Sequence, residues 1–329
     1  VKLPLIYLAV AALIPISVGQ SSVEHVVTVA LVLILFDGGR GMGLVRFRAV
    51  APTVLRLGLL GTVATVAGAA VVGHLVLGVS WYLAVLLATA LAPTDPAVVF
   101  SVLGSVEGRS ATVLEGESGA NDPVGIALMA ALLDAGSLSG QALSDAAVAF
   151  ALQLVVGSAV GIAGGFALRR TSRLLALPGA FGLFALAGVA HGSGLLAVFV
   201  AGIVLGGERV HVAVGTVGEA AAFLSLGLLV DPHVLVHLDV WLPGLLLFVA
   251  VAALVRPLVC WPLLLPARLS RAEQAFVLLA GLKGAVPLLL GSMLLDVEQG
   301  QRLYGVTVVV VVLSVLVQGT LTPVLARRT

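Results

Sequence analysis

Stretches of roughly twenty apolar residues, the length a helix needs to cross the hydrocarbon layer, recur from one end of this chain to the other. They are continuous rather than alternating, which selects helices over barrel strands. With 60% of its 329 residues hydrophobic and 10% charged, the chain reads as an all-α polytopic membrane protein. Twelve spans are expected, at about 3–20, 23–39, 50–73, 81–104, 111–133, 144–168, 175–191, 194–207, 213–230, 239–265, 273–295 and 303–325. The three between 175 and 230 are short for a full crossing, so that region is expected to hold fewer or more steeply packed helices. No long hydrophilic stretch interrupts the pattern, which makes residues 1–329 one membrane domain.

Lys and Arg stay on the cytoplasmic side of short loops. Alternate loops hold Lys2, then Arg40, Arg46 and Arg48, then Arg109, Arg169, Arg170 and Arg173, then Arg209, Arg268 and Arg271, and finally Arg327 and Arg328. The opposite side keeps Arg302 and collects Asp134, Asp145, Asp231, Asp239, Asp296 and Glu298. Both ends of the chain are therefore expected in the cytoplasm. The chain opens on Val1 with a helix-length apolar stretch and no small-residue cleavage pattern, so a retained span and a trimmed start are expected rather than a signal peptide.

A net charge of +1 and the lack of a basic tract exclude a nucleic-acid partner. Cys260 is the single cysteine and sits in an apolar run, so neither a disulfide nor a thiolate metal site is expected. Nucleotide fingerprints and nucleophile motifs are missing, which argues against an ATP-driven pump, an enzyme or a bound cofactor. The six histidines, His25, His74, His191, His211, His233 and His237, fall at expected loops or helix ends and read as interfacial residues rather than a pH sensor.

Charged side chains inside lipid-spanning helices cost roughly 2.5 to 3.5 kcal/mol each, so each needs a reason. Here they are Asp37, Asp95, Glu115, Glu117, Asp122, Arg256 and Lys283. Ser118, Asp122 and Gly125 fall at i, i+4 and i+7 of one helix, so a hydroxyl and a carboxylate share a face where a glycine leaves space. Pro123 cannot donate to the carbonyl of Gly119, which adds a backbone oxygen. Such an oxygen-rich pocket suits a hard monovalent cation.

In "APTDPA" two prolines flank Thr94 and Asp95, free the carbonyls of Thr89 and Ala92 and force the chain out of regular helix. Irregular backbone at this depth survives only where it is buried in protein or lines a wet cavity. "GLKGAVPLLLG" makes a second interruption in the eleventh span, and paired broken helices point to a site near the bilayer midplane. Asp95 is expected to share an ion with Asp122, with Thr94 adding an oxygen. Glu117 lies five positions from Asp122 and suits a permanent ion pair, with Arg256 as its expected partner and Lys283 near the crossing, the reverse assignment staying open. Asp37 either gates the cytoplasmic approach or finishes its helix before Gly38 and Gly39. Glu115 is expected to be a solvated acid in the first turn of its helix.

"ILFDGG", "PTDPAVVF", "ESGANDP", "VRPL" and "GLKGAVPL", in this order, resemble the signatures of the NhaP-type monovalent cation/proton antiporters, and among them the potassium/proton exchangers. The resemblance runs over essentially the whole chain. It implies a homodimer in the cell (inner) membrane, serving pH homeostasis, with a core of six helices, two of them broken and crossing, and inverted repeats. The core is expected at about 81–168 and 239–325, the other helices forming the dimerisation scaffold. Asp122 would carry the ion and proton, and Asn121 fills the place where electrogenic relatives have a second aspartate. Thr94, Asp95 and Ser118 would be site oxygens, Glu117 and Arg256 a structural ion pair, and Asp37 the acid of the cytoplasmic funnel. The family usually has one more helix before the start of this chain, more often has arginine where Lys283 stands, and is longer between 175 and 230. The expected activity is exchange of one Na⁺ or K⁺ for one H⁺ through competition for Asp122, with a cation channel or an intramembrane aspartyl protease as rivals.

Overall fold

The computed structural model describes residues 3–14, 16, 18–95, 108–207 and 212–326. Residues 96–104 of the expected fourth span, Lys2, Arg209, His211, Arg327 and Arg328 lie outside the described residues. Every regular element among the described residues is helical. In chain order they are α1 (Leu3–Ala12), α2 (Gln20–Leu55), α3 (Thr62–Leu77), α4 (Trp81–Leu91), α5 (Arg109–Ala135), α6 (Gly140–Leu168), α7 (Ala176–Val189), α8 (Gly194–Leu205) and α9 (Val212–Gly227). They continue as α10 (Leu238–Ala250), α11 (Arg256–Leu264), α12 (Arg271–Leu279), α13 (Ala285–Ser292), α14 (Gly300–Leu313) and α15 (Gly319–Ala326). The short spans expected between 175 and 230 are three separate helices, α7, α8 and α9.

Helical backbone continues from Gln20 to Leu77, 58 residues, which as a straight rod would be about 87 Å long and far exceed the bilayer. It breaks at Gly43, whose φ of 63° is open to glycine without strain, and this single residue divides the two spans expected at 23–39 and 50–73. Asp37 therefore lies inside α2, buried and six residues before that break, so the expectation that it merely finishes its helix is overturned. Gly38 and Gly39 are helical as well, because Gly39 serves packing rather than termination.

Gly39 of α2 lies against the carbonyl of Phe199 on α8, and Gly202 of α8 lies against the carbonyl of Phe36 on α2. Reciprocal glycines let two backbones approach without side chains between them, the way helices associate where lipid removes the hydrophobic drive. On the far side of α8, Gly157, Gly161 and Gly165 of α6 lie against Ser193, Ala197 and Ala201 in the same manner. Gly39→Leu would wedge α2 from α8 and is expected to cost about 1–3 kcal/mol, read as a lower unfolding midpoint in detergent. A midpoint equal to that of the parent would mean that the close crossing carries no stability.

Serines at the starts of four helices satisfy otherwise orphaned amides: Ser80 accepts from Leu83, Ser139 from Ala142, Ser193 from Leu196 and Ser270 from Glu273. Three π-helical turns, Arg56–Gly61, Val251–Val255 and Ser314–Gln318, interrupt the longest rods. All three border the site described next.

Candidate functional site

Two interruptions of regular helix meet. Ala92–Asp95 follow α4 without helical structure, and residues 281–284 separate α12 from α13. The Asp95 amide donates to the Leu282 carbonyl at 2.7 Å, joining the two unwound segments directly. Each break leaves backbone groups that water cannot reach, and their partners account for most of the site.

Both intramembrane cations serve as caps. The Lys283 ammonium donates to the carbonyls of Ala92 and Pro93, each at 3.1 Å, at the C-terminal end of α4. The Arg256 guanidinium donates to the carbonyls of Leu278 at 3.0 Å and Val277 at 3.2 Å, at the C-terminal end of α12. A positive group at a helix C-terminus satisfies free carbonyls and opposes the negative end of the helix dipole. Arg256 also forms the ion pair with Glu117, at 2.9 Å from Nη1 to Oε1, both side chains at most 5% exposed. Gly281 leaves room for the guanidinium, which lies where a β-carbon would stand.

The remaining orphan groups are met by residues that the sequence reading did not single out. Ser314 accepts from the Lys283 amide at 2.9 Å and donates to Gln318 at 2.6 Å. Gln318 in turn donates to the Leu279 carbonyl at 3.2 Å. Both sit on the π-turn between α14 and α15, whose wider coil turns the two side chains to the break. Polar residues four apart in an apolar run were the available signal, but sequence spacing does not say which helix break they serve.

The anionic half of the site is built on α5. Ser118 donates to Asp122 Oδ2 at 3.5 Å, a long bond, and Asp122 Oδ1 is buried with no hydrogen-bond partner among the described residues. Asn121 donates to Thr94 Oγ1 at 2.8 Å and accepts from the Thr94 amide at 3.4 Å, so it ties α5 to the first unwound segment. Gly125 does not leave open space. Pro93 fills the notch, its ring lying 2.6 Å from where a β-carbon would stand, and this seats the unwound chain on α5. On the opposite face of α5, Gly58 in the first π-turn lies against Ala120 and the Glu117 carbonyl.

Asp95 rests on Gly284, its carboxylate occupying the position that a β-carbon would take. Gly284 precedes α13, so the acid sits at the positive end of that half-helix. Gly284→Ala is expected to displace Asp95 and break the Asp95–Leu282 bond, read as a lower unfolding midpoint in detergent. A midpoint equal to that of the parent would show that the seat of Asp95 on Gly284 carries no stability.

Glu115 differs from expectation. It pairs with Arg46 at 2.9 Å and its side chain is 18% exposed, because α2 packs alongside the first turns of α5. Glu219 was missed altogether. It is a lone acid in the apolar run of α9, the same signal that flagged the other intramembrane charges, and its Oε1 is buried without a partner among the described residues.

The family model described as "Sodium/hydrogen exchanger, transmembrane" matches residues 2–328. The chain is similar to a K(+)/H(+) antiporter NhaP of Alkalimonas amylolytica, with 34% identity over 89% of this chain and 55% of the relative. It is also similar to a K(+)/H(+) antiporter NhaP2 of Shewanella oneidensis, with 32% identity over 91% of this chain and 56% of the relative. The chain thus spans little more than half the length of these curated relatives. The structure of the sodium proton antiporter MjNhaP1 from Methanocaldococcus jannaschii at pH 8 superimposes with a TM-score of 0.79, 21% identity, and coverage of 97% of this chain and 91% of that one. Shared fold, family match and the order of the motif residues agree: the chain belongs to the sodium/hydrogen exchanger transmembrane family.

Proposed function

We propose that this chain exchanges Na⁺ or K⁺ for H⁺ across the membrane, one for one, by alternating access, with Asp122 as the carboxylate that both cargoes share. The observation that carries this reading is the state of Asp122: buried and, among the described residues, outside any ion pair, with one oxygen without a partner and the other on a single long bond. A carboxylate so placed is completed only by a proton or a cation, and the two exclude one another. Asn121 is spent on Thr94, Lys283 on two carbonyls, and Arg256 on Glu117, which leaves one carrier and supports electroneutral exchange. Asp95, Thr94 and Ser118 supply further oxygens at the crossing, and Asp37 serves the cytoplasmic funnel.

The moving unit is the group around the crossing, sliding against a stationary scaffold that forms a homodimer, with both chain ends in the cytoplasm. The sequence boundary for that unit was about 81–168 and 239–325. The packing supports a shifted one. Gly68 of α3 lies on Val255 and Gly244 of α10 lies on Val309, which supports adding α3 to the moving group. The glycines of α6 lie on α8, which supports assigning α6 to the scaffold with α1, α2 and α7–α9.

In vesicles preloaded with Na⁺ or K⁺ and reporting internal pH, each cation in turn is expected to drive proton movement that choline does not. A clamped membrane potential is expected to leave the rate unchanged. Current without coupled proton movement would replace this reading with a channel, and a potential-dependent rate would remove the one-for-one stoichiometry.

A further inference from the structure

Glu219 is a half-buried acid that the exchange described above does not use. On α9 it shares a stripe with Ala222, Phe223 and Leu226, spaced three, four and seven residues away, and these three are fully buried. That stripe faces the moving group. The Tyr304 hydroxyl of α14 donates to the Leu226 carbonyl at 2.8 Å, and α9 packs along α13, the half-helix on whose N-terminus Asp95 rests. Gly218 lets Ile34 of α2 approach within 3.1 Å of its β-carbon position, which holds α9 on the scaffold. Its Oε1 is buried with no hydrogen-bond partner among the described residues. No salt bridge holds it among the described residues, although a carboxylate oxygen buried without a partner is costly.

We propose that Glu219 is a cation ligand supplied by the stationary scaffold, holding the monovalent cation at the boundary between scaffold and moving group on its way to or from Asp122. Resting on the exchange reading above, the assignment separates two kinds of carboxylate. Asp122 travels with the moving group and carries the cargo, whereas Glu219 stays behind and meets the ion only when the moving group presents the site to it. A ligand of that kind sets the apparent affinity for the cation on one side of the membrane and leaves the stoichiometry alone.

The test compares the parent chain, Glu219→Gln, Glu219→Asp and Asp122→Asn in two assays. In vesicles, Glu219→Gln is expected to raise the KM for Na⁺ or K⁺ about tenfold, the order of effect for one lost charged ligand, with the maximal rate within about twofold of the parent. Glu219→Asp, which keeps the charge, is expected to recover most of the affinity. In detergent, the concentration of Na⁺ or K⁺ that half-maximally raises the unfolding midpoint, against choline, is expected to shift by a similar factor in Glu219→Gln. An unchanged KM and an unchanged stabilisation midpoint in Glu219→Gln would overturn the proposal. So would equal losses in Glu219→Gln and Glu219→Asp, which point to packing. Should the parent show no exchange, the antiport reading fails by itself, and the shifted stabilisation midpoint still decides whether Glu219 binds the cation.

Discussion

Asp122→Asn is expected to reduce cation-driven proton flux to the background of empty vesicles, a loss of at least 100-fold, while the protein folds as before. The two halves of that expectation have separate causes. Asparagine keeps the shape and polarity of the side chain but can neither take up a proton nor balance a cation, so the step proposed for both cargoes disappears. Stability is spared because, among the described residues, the aspartate makes one hydrogen bond, at 3.5 Å, and no ion pair, so little native interaction is removed. The unfolding midpoint is expected within the equivalent of about 1 kcal/mol of the parent, and replacing an unpartnered buried acid with a neutral amide moves it upward if at all. The measurement is dequenching of an internal pH dye with Na⁺ and then K⁺ on the outside, beside an unfolding curve for the same preparation. Flux at the parent rate would remove Asp122 as carrier, and a collapsed unfolding curve would make it a structural residue.

Arg256→Met is expected to do the reverse, lowering stability by about 3–5 kcal/mol. Truncation strands Glu117, buried to 1% exposure, together with the carbonyls of Val277 and Leu278 at the end of α12. The cost arises from those abandoned partners rather than from the net worth of the pair. Adding Glu117→Gln to Arg256→Met is therefore expected to restore a large part of the loss, since the uncompensated charge then disappears. Unfolding midpoints of the two single variants and the double variant in one detergent measure the coupling. Additive losses would show that Glu117 and Arg256 act independently, and a stable Arg256→Met protein would deny the guanidinium its capping role. Because α12 leads directly into the break, flux is expected to fall with stability in Arg256→Met, in contrast to Asp122→Asn.

These two outcomes also bear on how far the site was legible. The spacing Ser118, Asp122 placed a hydroxyl beside a carboxylate, and the prolines around Thr94 and Asp95 marked a break, both from local rules that a helix imposes on its own sequence. The freed Ala92 carbonyl was legible too, but not its use. Whether Lys283 or Arg256 faced Glu117 was left open by the sequence, because it depends on which helices meet, and the contact lies between positions 117 and 256. The roles of Ser314, Gln318 and Glu219 were out of reach for the same reason. Gly125 was read as a space for an ion when it is the seat of Pro93, since a missing side chain looks alike in sequence whether ligand or neighbouring backbone fills the gap.

By itself the sequence determined that the chain is helical and membrane-spanning, where its helices are interrupted and most of the acids that lie in its apolar runs. Each of these follows from chain-local physics: hydrogen bonds closed within a helix, rings that remove donors, and charges expelled by hydrocarbon. Tertiary structure decided which charge is spent and which is left over. Lys283 and Arg256 were drawn to half-helix C-termini, Glu117 was matched to Arg256, Asp95 was set on the N-terminal end of α13, and Asp122 was left with an oxygen unmet. That division follows from the rule that every buried polar group must find a partner, because the partners lie on helices that only folding brings together.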